Sequence, residues 1–140
     1  MNKPVCICFH LRRATRAVTQ TYDAAFRSMG LRATQMTVLG PLAMLGSATM
    51  TQLADVTGTD RTTLTRNLSL LKRKGLVTFA PGRDRREHQV AITDRGKTML
   101  QQAHPKWEAI QRKLIKQVGQ ERAQRLLADL AAVVEATKCC

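Results

Sequence analysis

At 140 residues, with Lys and Arg outnumbering Asp and Glu by 23 to 10 for a formal charge of +13, the chain has room for one domain but not for a separate catalytic domain. Aromatic residues make up only 4%, so the core is expected to consist of Leu, Val, Ala and Met. A pI near 10.7, with the basic excess heavy around residues 61 to 97, is the electrostatic footprint of a nucleic-acid binder. No apolar run approaches membrane-spanning length and no h-region with a cleavage site opens the sequence, so no membrane partner is expected and the expected location is the cytoplasm.

In chain order, the first expected element is an amphipathic helix from Phe9 to Met29, with Leu11, Ala14, Val18, Ala25 and Phe26 on its apolar side. A second helix is expected from Ala33 to Leu45. Pro41 lies inside it, lacks a backbone donor and predicts a kink or a break. Next comes a short helix, Thr51 to Thr57, with Thr51 as its cap and Gly58 as its terminator.

Thr59 or Asp60 then caps a further helix, Arg61 to Lys74, in which Leu64, Leu68 and Leu71 follow the i, i+4, i+7 spacing of one buried face. Thr62, Thr65, Arg66 and Ser69 fall mostly on another side, and Arg61 opens the helix. Short hydroxyls permit close approach to a duplex, and a guanidinium can grip guanine, so this is expected to be a recognition helix. Lys72, Arg73 and Lys74 suit the negative end of the helix dipole, and Gly75 ends it. Two strands are expected, Leu76 to Phe79 and Gln89 to Ile92. Between them Arg83, Arg85 and Arg86 crowd a turn begun by Pro81 and Gly82. Such a basic hairpin suits a minor groove while the helix occupies the neighbouring major groove.

Thr93 is expected to cap a helix running to Val118, interrupted or kinked at Pro105. After Gly119 a last helix spans Gln120 to Thr137, with Leu126, Leu127, Leu130, Val133 and Val134 along one side. Three helices outside the DNA-binding unit are most economically read as a dimerisation layer, since a homodimer presents two recognition helices to a palindrome.

The four cysteines sit only at the ends, as Cys6, Cys8, Cys139 and Cys140. That distribution is not a secreted disulfide framework. If the N-terminal segment is extended, Cys6, Cys8 and His10 point the same way. With Cys139 and Cys140 brought near in a dimer, they would form a thiolate cluster suited to trivalent arsenic, mercury or copper(I), or to zinc with imidazole help. A plain packing role for Cys8, with the terminal pair in a frayed tail, stays open beside it.

In Leu53-Ala54, in Leu71 to Val77 (L-K-R-K-G-L-V), and in the wing Asp84-Arg85-Arg86 leading through Val90-Ala91-Ile92 to Thr93-Asp94-Arg95-Gly96, the chain resembles the MarR family of regulators. The D-x-R wing followed by an alternating strand and T-x-x-G carries the most specific part. The resemblance implies a mainly α fold with a small β-hairpin wing, a winged helix-turn-helix over 33–96 within a single domain over 1–140, and dimerisation helices over 5–30 and 97–138. It also implies that Asp84 structures the wing. The stretch Cys8 to Arg16, with Tyr22, is similar to the first helix of the organic hydroperoxide resistance regulators, where a cysteine at the position of Cys8 senses peroxide. Arg12 and Ala33 stand where further tyrosines of that subfamily would be.

The expected function is thus a homodimeric regulator on double-stranded DNA, a repressor released by an effector and requiring no cofactor. The effector is left open between a thiophilic metal or metalloid, an oxidant, and a small aromatic carboxylate or phenol. No nucleophile with a base, metal motif or phosphate-binding glycine loop points to an enzyme. A sequence-neutral basic protein that coats DNA is the competing class.

Overall fold

Leu64, Leu68 and Leu71 are fully buried, so the leucine spacing reads the inward face of its helix correctly. The computed structural model describes residues 5–82 and 88–140. The described elements are α1 (Ile7–Phe26), followed by a short 3-10 turn (Arg27–Met29), α2 (Ala33–Leu45), β1 (Ser47–Thr49), α3 (Met50–Thr57), α4 (Arg61–Arg73), β2 (Val77–Pro81), β3 (His88–Ile92), α5 (Asp94–Val118) and α6 (Gln120–Thr137). They form two compact units, Met1–Lys106 and Trp107–Cys140.

The first unit holds the core. α2 lies at its centre, touching α1, α3, α4, β1 and β3, and buries Val38, Leu39 and Leu42. Around it gather Phe26, Leu53, the α4 leucines, Leu76, Val77, Val90 and Ile92. Each fully buried leucine contributes about 1.5 to 3 kcal/mol relative to exposure. Of the kink or break expected at Pro41, the break is absent, since α2 passes the proline without ending. Gly40 helps to explain this, because the residue before a proline resists helical geometry chiefly through its Cβ, and glycine has none. α5 likewise continues through Pro105.

The sheet has three strands where two were expected. β3 is central and antiparallel to both neighbours, pairing Val90 with Phe79 of β2 and with Ala48 of β1. β1 leads directly into α3, whose cap is Thr49 and not Thr51. The Thr49 hydroxyl accepts from Gln52 N at 3.1 Å and the Gln52 side chain accepts from Thr49 N at 2.9 Å, a reciprocal capping box.

Thr93 joins β3 to α5 as expected. Its Oγ1 accepts from Gly96 N at 3.0 Å and donates to Gly75 O at 2.6 Å, tying the end of α4 to the start of α5. A side chain at position 96 has no room, since a Cβ there would lie 2.3 Å from the Leu76 carbonyl oxygen. This gives T-x-x-G a steric cause.

In the second unit Gly119, at φ 98, separates α5 from α6, and α6 buries none of its residues. Leu126, Leu127, Leu130 and Val134 are exposed along it. Among the described residues, no helix is long and apolar enough to cross a membrane.

Candidate nucleic-acid interface

α3 and α4 are set at their mutual angle by a tight local construction. Gly58 adopts the left-handed conformation at φ 64, and Thr59 N bonds Ala54 O at 3.2 Å, closing α3. Asp60 then caps α4. Its carboxylate accepts from the Thr63 hydroxyl at 2.6 Å and from the Thr63 amide at 3.0 Å. These bonds to Thr63 hold the Asp60 carboxyl below its ordinary value.

With the leucines turned inward, Arg61, Thr62, Thr65, Arg66 and Ser69 are all exposed on α4. The hydroxyls have a definite polarity. Thr65 Oγ1 donates to Arg61 O at 2.8 Å and Ser69 Oγ donates to Thr65 O at 2.9 Å. With those protons engaged, the two side chains offer oxygen lone pairs and a methyl outward, suited to base amino groups and to a thymine methyl. The guanidinium groups supply the donors.

Two contacts that the sequence did not reveal brace this helix. Lys72 Nζ lies 5.2 Å from the centroid of the Phe79 ring, a cation-π contact between α4 and β2. Lys74, the C-cap of α4, donates to the Gly30 carbonyl in the turn between α1 and α2.

The two strands of the wing pair as far as Pro81 with His88. Arg83, Asp84, Arg85 and Arg86, the expected wing-tip residues, lie outside the described residues.

The N-terminal cysteines are not on an extended strand. Cys6 is the N-cap of α1, and His10 N bonds Cys6 O at 3.2 Å, so Cys8 and His10 are helical. Successive helical residues diverge by about 100°, and the alternation that would align Cys6, Cys8 and His10 does not apply. Cys6, Cys8, Cys139 and Cys140 are exposed, and Cys140 Sγ donates to Ala136 O at 3.5 Å. Among the described residues, no group of three or more His, Cys, Asp and Glu is gathered within the chain.

A sequence model of the MarR family matches residues 29–87, and no curated protein matches the chain. The M. tuberculosis transcriptional regulator MosR, in a crystal structure with DNA, is 39% identical, with a TM-score of 0.83 over 94% of this chain and 98% of that one. A further MosR crystal structure is 37% identical, with a TM-score of 0.81 over 94% of this chain and 97% of that one. A mutant E. coli MarR, complexed with operator DNA, shares the fold at 22% identity, with a TM-score of 0.83 over 92% of this chain and 94% of that one.

Proposed function

Because the chain belongs to the MarR family of DNA-binding transcriptional regulators, we propose that it binds a palindromic operator as a homodimer and acts as a repressor released by an effector. One observation carries the reading. α4 buries Leu64, Leu68 and Leu71 and turns Arg61, Thr62, Thr65, Arg66 and Ser69 outward together, beside a sheet that supports a wing.

In this mechanism α4 enters the major groove. Arg66 forks onto the O6 and N7 of guanine, while Thr62 and Thr65 meet neighbouring base edges. Arg61 and Ser69 contact the flanks of the groove. Arg83, Arg85 and Arg86, which lie outside the described residues, are assigned to the minor groove and the flanking phosphates. The exposed apolar residues of α1 and α6 support a second copy as their cover. Phe9 is 48% and Leu127 68% exposed in the single chain, more apolar surface than a free helix face tolerates well.

All four thiols are exposed in the single chain, as effector chemistry at sulfur requires, and the packing role that competes with it for Cys8 is one in the dimer core. In the proposed release, a thiophilic metalloid or an oxidant reacts with these cysteines. The spacing of the two recognition helices then shifts by the effector's differential affinity for the two forms.

Fluorescence anisotropy on the duplex upstream of the gene, in competition with a scrambled duplex, separates a repressor from a sequence-neutral coating protein. Arg66→Ala is expected to weaken operator binding by about 1 to 3 kcal/mol and to relax base preference. An Arg66→Ala protein that binds both duplexes as the parent does sinks the assignment of α4. Titration of the reduced complex with a trivalent arsenical then tests the thiols. Release by the reagent, absent in a cysteine-free variant that still binds DNA, supports them, and unchanged binding turns the search to aromatic ligands.

A further inference from the structure

A second cluster of cations lies in the first unit, away from the outward face of α4. Where α1 ends and the chain turns into α2, a cavity of about 420 Å³ is walled by Arg27, Arg32 and Lys74, with Asp23 and Gln35 beside them. Its two side-chain acceptors are already engaged in closing the turn. Asp23 Oδ1 accepts from Ala33 N at 2.7 Å, and the 4% exposed Gln35 accepts from Arg32 N at 3.1 Å. Among the described residues, the cations have no such engagement with acids. Among the described residues the ion pair present is Lys138 with Glu135, at the far end of the chain.

Three cations against one carboxylate leave the cavity with an excess of two positive charges. Its one apolar wall residue, Leu31, is itself 2% exposed and packed into the core, so little greasy surface is offered to a ring. Planar guanidinium forks and an ammonium converging on a small polar space are the donor set that phosphate oxygens satisfy.

We propose that this cavity binds a compact dianion, a phosphate group either free or as a monoester. Binding has a built-in consequence at Lys74. Its ammonium now holds the neutral Gly30 carbonyl, and a bound phosphate competes for it with a full charge. The link between the α1–α2 turn and the end of α4 is thereby loosened, and DNA and the anion become coupled ligands. That coupling rests on α4 being the recognition helix, whereas anion binding does not.

The test is calorimetric titration of the full chain with inorganic phosphate, at an ionic strength held constant with chloride. One site per chain is expected, weakened at least about tenfold in the double variant Arg27→Gln/Arg32→Gln and also in Lys74→Gln. Arg66→Gln, on the outward face of α4, is expected to bind phosphate as the parent does. Loss in Arg66→Gln with retention in the double variant would put the anion on the DNA-binding face and overturn the proposal. Heat no greater than that of added chloride, or benzoate binding as tightly as phosphate, would overturn it too. Glycerol phosphate in a parallel titration identifies the source, tighter binding of the ester assigning the site to a monoester and tighter binding of phosphate to the free ion. Operator anisotropy with saturating phosphate reads the coupling separately, so an intact anion site with no effect on DNA refutes only the link through Lys74.

Discussion

Replacing Gly96 by alanine tests the junction between sheet, α4 and α5. The new Cβ would stand 2.3 Å from the Leu76 carbonyl oxygen and 2.7 Å from Ile92 Cγ1. Carbon atoms pack comfortably at about 3.5 to 4.0 Å, so the neighbours must retreat by roughly 1 Å. Neither is free to do so. Leu76 O accepts from Thr93 N at 3.0 Å, Gly75 O beside it accepts from Thr93 Oγ1 at 2.6 Å, and Ile92 is buried. Losing those two bonds costs about 2 kcal/mol, and overpacking at Ile92 adds about 1 to 3 kcal/mol. Alanine's advantage over glycine inside a helix returns about 1 kcal/mol, leaving a net loss of about 2 to 4 kcal/mol. Urea denaturation should show this as a midpoint lowered by about 1 to 2 M, measured at one protein concentration because the stability of the proposed dimer depends on it. Lys97→Ala, one residue on and exposed, should stay within about 0.5 kcal/mol of the parent. A Gly96→Ala protein as stable as the parent would mean that the close approach is absent and that helix propensity decides the site.

Pro41→Ala should stabilise the fold by about 1 to 2 kcal/mol by returning a donor to the Thr37 carbonyl, offset by a more flexible unfolded chain. A lower thermal midpoint would instead mean that the proline sets a bend that α2 needs. The Asp60 carboxyl, depressed in the folded state by its bonds to Thr63, contributes stability that is full above the ordinary aspartate value of about 3.9 and fades as pH falls below it. Thermal melts of the parent and Asp60→Asn should therefore differ more at pH 6 than at pH 3, and a difference that grows with acid contradicts the sign. Leu127→Glu would put an unpaired carboxylate into the proposed interface at a cost of about 3 kcal/mol or more, roughly a hundredfold in dimer dissociation. Sedimentation equilibrium reads this directly, and an unchanged dimer removes that face of α6 from the interface.

The face of α4 is legible because a helix repeats within a few residues. Leu64, Leu68 and Leu71 announce the buried side, and the polar side follows without knowledge of any other segment. Thr93 and Gly96 are legible as a pattern, but their cause is not, since the carbonyl that forbids a Cβ belongs to Leu76, twenty residues earlier. β1 escapes because Ser-Ala-Thr is too short to show alternation, and its strand geometry comes from pairing with β3. The true cap of α3 has a local signal that the choice of Thr51 passes over, namely Gln52 three residues after Thr49. Lys72 and Lys74 show the opposite limit. By sequence they are, with Arg73, a run of helix-end charge, yet one sits on Phe79 and the other reaches a carbonyl 44 positions away. The periodic part of the chain thus reveals the surface proposed to meet DNA, while the contacts that hold and adjust that surface arise only when distant segments meet. An effector acting through the latter would leave little trace in the proposed recognition helix itself, so under the proposed anion coupling variants at Arg27, Arg32 and Lys74 carry more information about regulation than further substitutions on α4.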